Sequence, residues 1–223
     1  MRFSSDLRAA LIGALTVTAA ILCMSSAERS GDVIWSASIG IAAIGVIGLG
    51  LAAARWRRLS IIDDATGLYN RRYLFARLRA EFDRASCAGA PISFVVAEID
   101  NMREHNNLHG HLAGDAVLLA IAQALRAGVR RGDIVGRWGG DEFGLILPGA
   151  DTEEALRVAE RIRAAIAELG VPTGNGQLLR PTISAGVAVS APRGQPMLEL
   201  MDRADKAMYA AKAEGKNRVV PAV

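Results

Sequence analysis

At 223 residues, 51% of them hydrophobic and 22% charged, the chain is long enough for one domain and something more, and too apolar to be disordered. Its formal net charge of +3 is carried by residues 1–62, with six arginines against three acids, while residues 63–223 hold 20 basic and 20 acidic side chains. So balanced a second part argues against a nucleic-acid-binding domain, and the positive charge falls around apolar segments instead.

Residues 9–27 run for 19 positions without a charge, and residues 33–54 for 22. Each is long enough to cross a hydrocarbon core of roughly 30 Å as a helix. Glu28-Arg29-Ser30-Gly31-Asp32 is a short polar link, so a transmembrane hairpin is expected over 1–54, followed by a linker over 55–62. Gly40, Gly45, Gly48 and Ala52 either let the two helices approach closely or simply fill an apolar segment. Arg2 and Arg8 precede the first span, and Arg55, Arg57 and Arg58 follow the second, which puts both termini in the cytoplasm of a two-pass cell (inner) membrane protein. The competing reading of the first span is a cleaved signal peptide ending near Ser25-Ser26-Ala27, but the apolar run is long for one. Cys23 and Cys87 form neither a metal spacing nor a disulfide framework.

From residue 63 onward the pattern alternates helices and strands. Asp63-Asp64-Ala65-Thr66-Gly67 reads as a turn. A helix is predicted over about 70–85 from Leu74, Leu78 and Phe82, and a buried strand over Ile92–Ile99, which is apolar and β-branched. Helical segments follow from about 101 and over about 114–128, broken around Gly110. Asp133–Trp138 and Glu142–Leu147 read as two short strands joined at Gly139-Gly140, in a tight hairpin whose favoured turns need positive φ. Asp151 or Thr152 caps a helix to about 169, with Ala155, Val158, Ile162 and Ile166 inward. A strand over 182–189, a helix over 196–214 ending at Gly215 and a short strand over 218–220 complete an α/β fold with a mixed sheet.

Four acids stand at suggestive places: Glu98 and Asp100 at the end of a buried strand, Asp141 and Glu142 at a hairpin tip. Nucleotidyl transfer uses Mg²⁺ held by a few carboxylates plus substrate phosphates, and these four can converge if the two elements are neighbours in one sheet. Taken singly, acids at strand ends are usually solvated. The same holds for the others: Asn106 alone is a turn residue, Asp115 a helix cap, Lys212 a solvated face.

Their order along the chain changes this. Gly139-Gly140-Asp141-Glu142-Phe143 resembles the signature of the GGDEF family of diguanylate cyclases. Asp63-Asp64-Ala65-Thr66-Gly67-Leu68-Tyr69-Asn70-Arg71-Arg72 is similar to that family's opening motif, with Ala65 in place of Leu. Glu98-Ile99-Asp100 with Asn106, Gly110-His111 and Gly114-Asp115 resembles its central block. Thr182-Ile183-Ser184-Ala185-Gly186 and the segment from Asp205 through Lys212 to Gly215-Lys216-Asn217-Arg218 match its closing motifs. Ordered matches over about 63–220 are far more specific than one short motif.

The resemblance implies a palm-like nucleotidyl-cyclase domain over 63–223, with a central mixed sheet flanked by helices. It implies an enzyme joining two GTP into cyclic di-GMP with release of two pyrophosphates, each of two facing domains holding one GTP, hence a homodimer. By resemblance, Glu98, the Ile99 carbonyl and Asp141 hold two Mg²⁺ ions per site, or Mn²⁺, and Glu142 assists metal binding or activates the 3′-hydroxyl. Gly139 and Gly140 let the backbone pass close to the nucleotide. Asn106 and Asp115 read the guanine edge, while Arg103, Lys212 and Lys216 face the phosphates. Arg130 and Asp133 match the family's R-x-x-D inhibitory product site, with Arg161 as a second clamp on cyclic di-GMP. Three departures stand out: Glu98 where Asp is expected, Arg103 where Lys is usual, and Met102 and Asn107 for Phe and Asp. They leave a second expectation open, a weakly active or inactive domain that acts as a cyclic di-GMP receptor. A membrane-bound nucleotidyltransferase with another product is the third.

Overall fold

A computed structural model describes residues 40, 42–50, 61–173, 177–190 and 196–222. The chain divides into two compact units, Met1–Ser60 and Ile61–Val223. In the first unit residues 42–50 are helical. The expected span over 9–27 and most of that over 33–54 lie outside the described residues, as does 55–60 of the linker. Among the described residues no helix is long and apolar enough to cross a membrane.

The second unit opens with a turn stitched into the sheet. The Asn70 N–H donates to the Ile61 carbonyl at 2.9 Å, and Tyr69 bridges both Ile62 and Gly136. Helix α1 (Arg71–Ala88) starts where the Asn70 side chain accepts from the Tyr73 N–H, and stops at Gly89, whose φ of 65° only glycine adopts cheaply. It runs a turn past the expected end because the breaker is Gly89 itself, not the residues before it. Strand β1 (Ile92–Ile99) follows, then α2 (Met102–His109) and α3 (His111–Ala127), broken at Gly110 as predicted. Helix α3 begins directly after that glycine, earlier than its apolar stripe of Val117, Ile121 and Leu125 indicates.

Strands β2 (Ile134–Arg137) and β3 (Glu142–Pro148) form the hairpin. Helix α4 (Thr152–Ala167) is capped by Asp151, whose side chain accepts from the Glu154 N–H. Its inward stripe is Ala155, Ala159, Ile162 and Ile166, with Val158 on the flank rather than inward, because i, i+4, i+7, i+11 is the narrower face. A two-residue pair, β4 (Val171–Pro172) with β5 (Leu178–Leu179), was too short to read from sequence periodicity. Strand β6 (Ile183–Val189), α5 (Met197–Ala213) and β7 (Val219–Pro221) close the unit.

The sheet order is β2-β3-β1-β6-β7, antiparallel throughout except for the parallel β6–β7 pair. The mixed sheet flanked by helices is therefore as expected. Alternation along β1 sends Val95, Ala97 and Ile99 into a core with α3 and α4, and Ile92, Phe94 and Val96 into one with α1 and α5. Fully buried side chains such as Phe94, Phe143, Leu74 and Ile121 each stabilise the fold by about 1.5–3 kcal/mol. A strand covered on both faces is rigid, and the end of β1 carries the candidate site.

Candidate active site

The register of β1 against β3 sets Glu98 directly opposite Glu142. Like charges at such a pair repel, because opposed side chains are roughly 5 Å apart at Cβ. The Glu142 carboxyl is accordingly pushed above the ordinary carboxylate range. Burial is the largest cause, followed by Glu98, Asp141 and Asp205, and only Arg71 acts against them. Glu98 is mostly buried and ion-paired to the Lys212 ammonium from α5. Lys216 donates to the Asn101 side-chain oxygen at 2.5 Å, at the start of α2.

Asp141 stands at the hairpin tip, and the tip is not the turn the glycine pair suggests. Neither Gly139 nor Gly140 has positive φ. Instead the Trp138 and Gly139 N–H groups both donate to the Glu142 carbonyl, at 2.8 and 3.2 Å. At Gly139 a Cβ would lie 2.3 Å from a Glu142 carboxylate oxygen, so that flexible side chain would have to turn aside. At Gly140 a Cβ would meet nothing within 4 Å, so packing within the protein does not require glycine there. The Asp141 carbonyl accepts from the Ile99 N–H at 3.1 Å, which ties the tip to the end of β1.

Asp100 does not join this cluster. Its side chain is buried and accepts from the Thr182 hydroxyl at 2.7 Å, the Ser184 hydroxyl at 2.6 Å and the Asn217 N–H at 3.0 Å. It fastens β1 to β6 and to the turn before β7. The expected four-carboxylate convergence is therefore a three-carboxylate cluster of Glu98, Asp141 and Glu142. The matched Thr182, Ser184 and Asn217 gain a structural role the sequence did not reveal.

A cavity of about 510 Å³ lies beside the tip, lined by Arg103, Asn106, Asp115, Arg137, Gly140 and Asp141 among others. Three sequence-assigned binding residues thus face one space, while Lys212 and Lys216 are held at Glu98 and Asn101 instead. The Asn106 side-chain oxygen is buried without a hydrogen-bond partner. It sits against Gly114, where a Cβ would lie 1.9 Å away, so Gly114 is the room in which Asn106 lies.

The oxygen donors here are of the kind a hard divalent cation takes: Glu98 and Glu142 are forced together by sheet register, and Asp141 acts on Glu142. Burial first, and then the neighbouring carboxylates, raise Glu142, and a bound cation would act against both. Among the described residues no three His, Cys, Asp or Glu side chains form a group placed to hold a metal ion, and Glu98 is engaged by Lys212.

The R-x-x-D turn is drawn together by its own residues. Arg130 pairs with Asp133 at 3.1 Å and with Glu154 of α4 at 2.7 Å, and donates to the Pro148 carbonyl at 3.0 Å. Arg161 of α4 donates to the Gly128 carbonyl at 2.7 Å, so Arg130, Asp133 and Arg161 all border the same turn. Across Asp133 a second cavity, of about 420 Å³, carries Arg77, Arg84 and Arg131.

Three residues near the carboxylates went unassigned from sequence: Arg71, Arg137 and Asp205. Arg71 lies over the Trp138 ring at 5.3 Å and, like Asp205, acts on Glu142. Both sit inside matched motifs, so position within a motif was the available signal. Arg137 stands two residues before the glycine pair and had none.

A family model described as diguanylate cyclase, GGDEF domain, matches residues 60–218. The response regulator PleD of Caulobacter vibrioides is 40% identical over 163 residues, covering 73% of this chain and 36% of PleD. The diguanylate cyclase DosC of Escherichia coli is 38% identical over 159 residues, 71% of this chain and 34% of DosC. The chain thus spans about a third of the length of these curated relatives. The GGDEF domain of DgcB from Caulobacter crescentus, solved in complex with c-di-GMP, superposes with a TM-score of 0.70 at 30% identity, covering 73% of this chain and 93% of that one. A family match over most of the chain, a shared fold and the motif residues gathered around one sheet end agree: this chain belongs to the GGDEF-domain diguanylate cyclase family.

Proposed function

We propose that the chain is a membrane-anchored diguanylate cyclase that condenses two GTP into cyclic di-GMP. The observation that carries this reading is the Glu98–Glu142 cross-strand pair, with Asp141 at the tip bordering the cavity that holds Asn106 and Asp115. Asp115 accepts from the guanine N1–H and N2–H₂, which adenine does not offer, and Asn106 supplies a further edge contact. Gly140, which packing leaves free, gives the nucleotide close access to the backbone. Arg103 faces the phosphates from the same cavity, and Lys212 and Lys216 turn to them from Glu98 and Asn101. The Asp141, Glu98 and Glu142 carboxylates and the Ile99 carbonyl would hold Mg²⁺, which neutralises the charge on the triphosphate.

In each half-reaction the 3′-oxygen of one GTP bonds to the α-phosphorus of the other. The bond from that phosphorus to the bridging oxygen breaks, and pyrophosphate leaves. Glu142, with its raised proton affinity, takes the 3′-hydroxyl proton. Since each domain holds one GTP, two copies must face each other, and the second half-reaction closes the ring. Membrane anchoring rests on the uncharged runs over 9–27 and 33–54 and their arginine flanks, with the catalytic unit cytoplasmic. Product inhibition rests on Arg130, Asp133 and Arg161 bordering one turn. Glu98 in place of Asp favours a second reading, a poorly active cyclic di-GMP receptor.

Incubation of the full chain with GTP and Mg²⁺ should yield cyclic di-GMP and pyrophosphate. Absence of cyclic di-GMP, together with tight binding when it is added, replaces the enzyme by the receptor. Arg130→Ala should relieve inhibition by added product while leaving the initial rate near wild type.

A further inference from the structure

We infer that Arg137, anchored by Asp63, is the positioning residue that shapes the hairpin tip and aims Asp141. The glycine pair does not adopt positive φ, so the tip is not held by the preferred two-residue hairpin geometry. Beside the Trp138 and Gly139 N–H groups on the Glu142 carbonyl, one guanidinium holds the tip. The Arg137 Nε donates to the Gly139 carbonyl at 3.1 Å and the Gly140 carbonyl at 3.0 Å, and Nη2 donates to the Gly140 carbonyl at 2.6 Å. With both carbonyls drawn toward Arg137, the peptide planes on either side of Gly140 are set, and Asp141 follows directly.

The remaining nitrogen, Nη1, reaches the two oxygens of Asp63 at 3.2 and 3.4 Å. Asp63 is itself fixed. It accepts from the Thr66 hydroxyl at 2.7 Å and the Thr66 N–H at 3.0 Å, within the opening turn of the unit. The Arg137 N–H also donates to the Tyr69 carbonyl at 2.8 Å, so the same turn holds this residue by backbone and side chain. Burial pushes the Asp63 carboxyl up, but Thr66 and Arg137 outweigh it and hold it below its ordinary value. Both side chains are mostly buried, at 19% and 23% exposed, which protects the pair from the screening that makes surface ion pairs weak. A lysine carries one point charge and cannot span two carbonyls and a carboxylate together. Arg137 also lines the cavity with Gly140 and Asp141, yet its donors are committed to the protein, which marks it as positioning rather than catalytic.

The role rests on the cyclase reading, and the test separates the two. The full chain, purified in detergent, is assayed for kcat and the KM for GTP with Mg²⁺. Mn²⁺ binding alongside α,β-methylene-GTP is followed by electron paramagnetic resonance. Arg137→Gln should lower kcat on the order of 10²-fold, as a misplaced reacting group does, with little change in KM because Asn106 and Asp115 are untouched. It should also weaken Mn²⁺ binding and alter the Mn²⁺ spectrum. Asp63→Asn should lower kcat about 10-fold, and the double variant should be no worse than Arg137→Gln alone, since the two act as one unit. Arg137→Lys should recover little.

A folded Arg137→Gln with unchanged kcat and Mn²⁺ spectrum overturns the proposal, and so do effects that multiply in the double variant. If Arg137→Gln does not fold, Asp63→Asn decides: unchanged kcat and Mn²⁺ binding overturn it. A wild-type chain that makes no cyclic di-GMP overturns the cyclase reading instead, and the Mn²⁺ spectra of the variants then judge the positioning role alone.

Discussion

Glu98 and Asp100 are two residues apart at the end of one strand, yet they end in opposite electrostatic situations. Asp100 is buried at 1% exposure with two hydroxyl donors and a backbone N–H on its oxygens. Glu98 faces another glutamate across the sheet, beside Asp141, with the Lys212 ammonium as a counterweight. The first region is satisfied and serves the fold. The second is crowded with like charge, a cost to the fold that a divalent cation can relieve. Each prediction below breaks one side of this contrast.

The largest effect is expected at the crowded side. Asp141→Asn should cost on the order of 10³-fold in kcat, about 4 kcal/mol of barrier, since it removes a carboxylate that would hold the cation on the reacting phosphates. Its melting temperature should hold or rise, because one repelling charge is gone. A variant that melts markedly lower would show Asp141 to be structural after all. On the satisfied side, Asp100→Ala should lower stability by about 1–3 kcal/mol in urea unfolding, because it strands the buried Ser184 hydroxyl and removes the acceptor of two partly solvated donors. Loss of activity without loss of stability would instead place Asp100 among the catalytic groups.

How much of this contrast was legible beforehand depended on what decides each residue's surroundings. Helix and strand placement followed local patterning: the apolar stripe of α3, the Asp151 cap and the break at Gly110 stand where the sequence puts them. The pairing of Glu98 with Glu142 needed strand order and register, which a single chain does not print. Asp100 looked the same as Glu98 because both close one acidic cluster; its donors come from Thr182, Ser184 and Asn217, 82 to 117 residues away. The tip was misread for a related reason. Two glycines between strands suggest a positive-φ turn, but neither glycine adopts one, and a side chain from β2 sets the shape.

A smaller effect is expected where the two regions touch through side-chain length. Glu98→Asp draws the carboxylate back by one methylene, away from Lys212 and toward the strict geometry Mg²⁺ demands. Turnover should rise several-fold, on the order of 1 kcal/mol of barrier, and half-maximal activity should need less Mg²⁺. An unchanged rate and Mg²⁺ requirement would show that the extra methylene is accommodated.

The smallest effect is in pH, and its sign differs between two carboxylates joined through the tip. Glu142 is held above its ordinary range, so its ionisation works against the fold. Its contribution to stability is fully present below the ordinary value and is lost as pH rises through the raised one. Asp63 is held below its ordinary range, so its contribution is present above that range and is lost as pH falls through the lowered value. In EDTA, acidifying from neutrality should therefore first gain stability from Glu142 and only later lose it from Asp63. Because Glu142 is partly solvated, solvent screening keeps the gain small. Glu142→Gln should remove the first change and leave the second, and Asp63→Asn should do the reverse. Saturating Mg²⁺ with GTP should flatten the Glu142 contribution alone, since the charge it lacks is then supplied. If both variants shift the same limb of the melting profile, the two carboxylates are not in the opposed environments described.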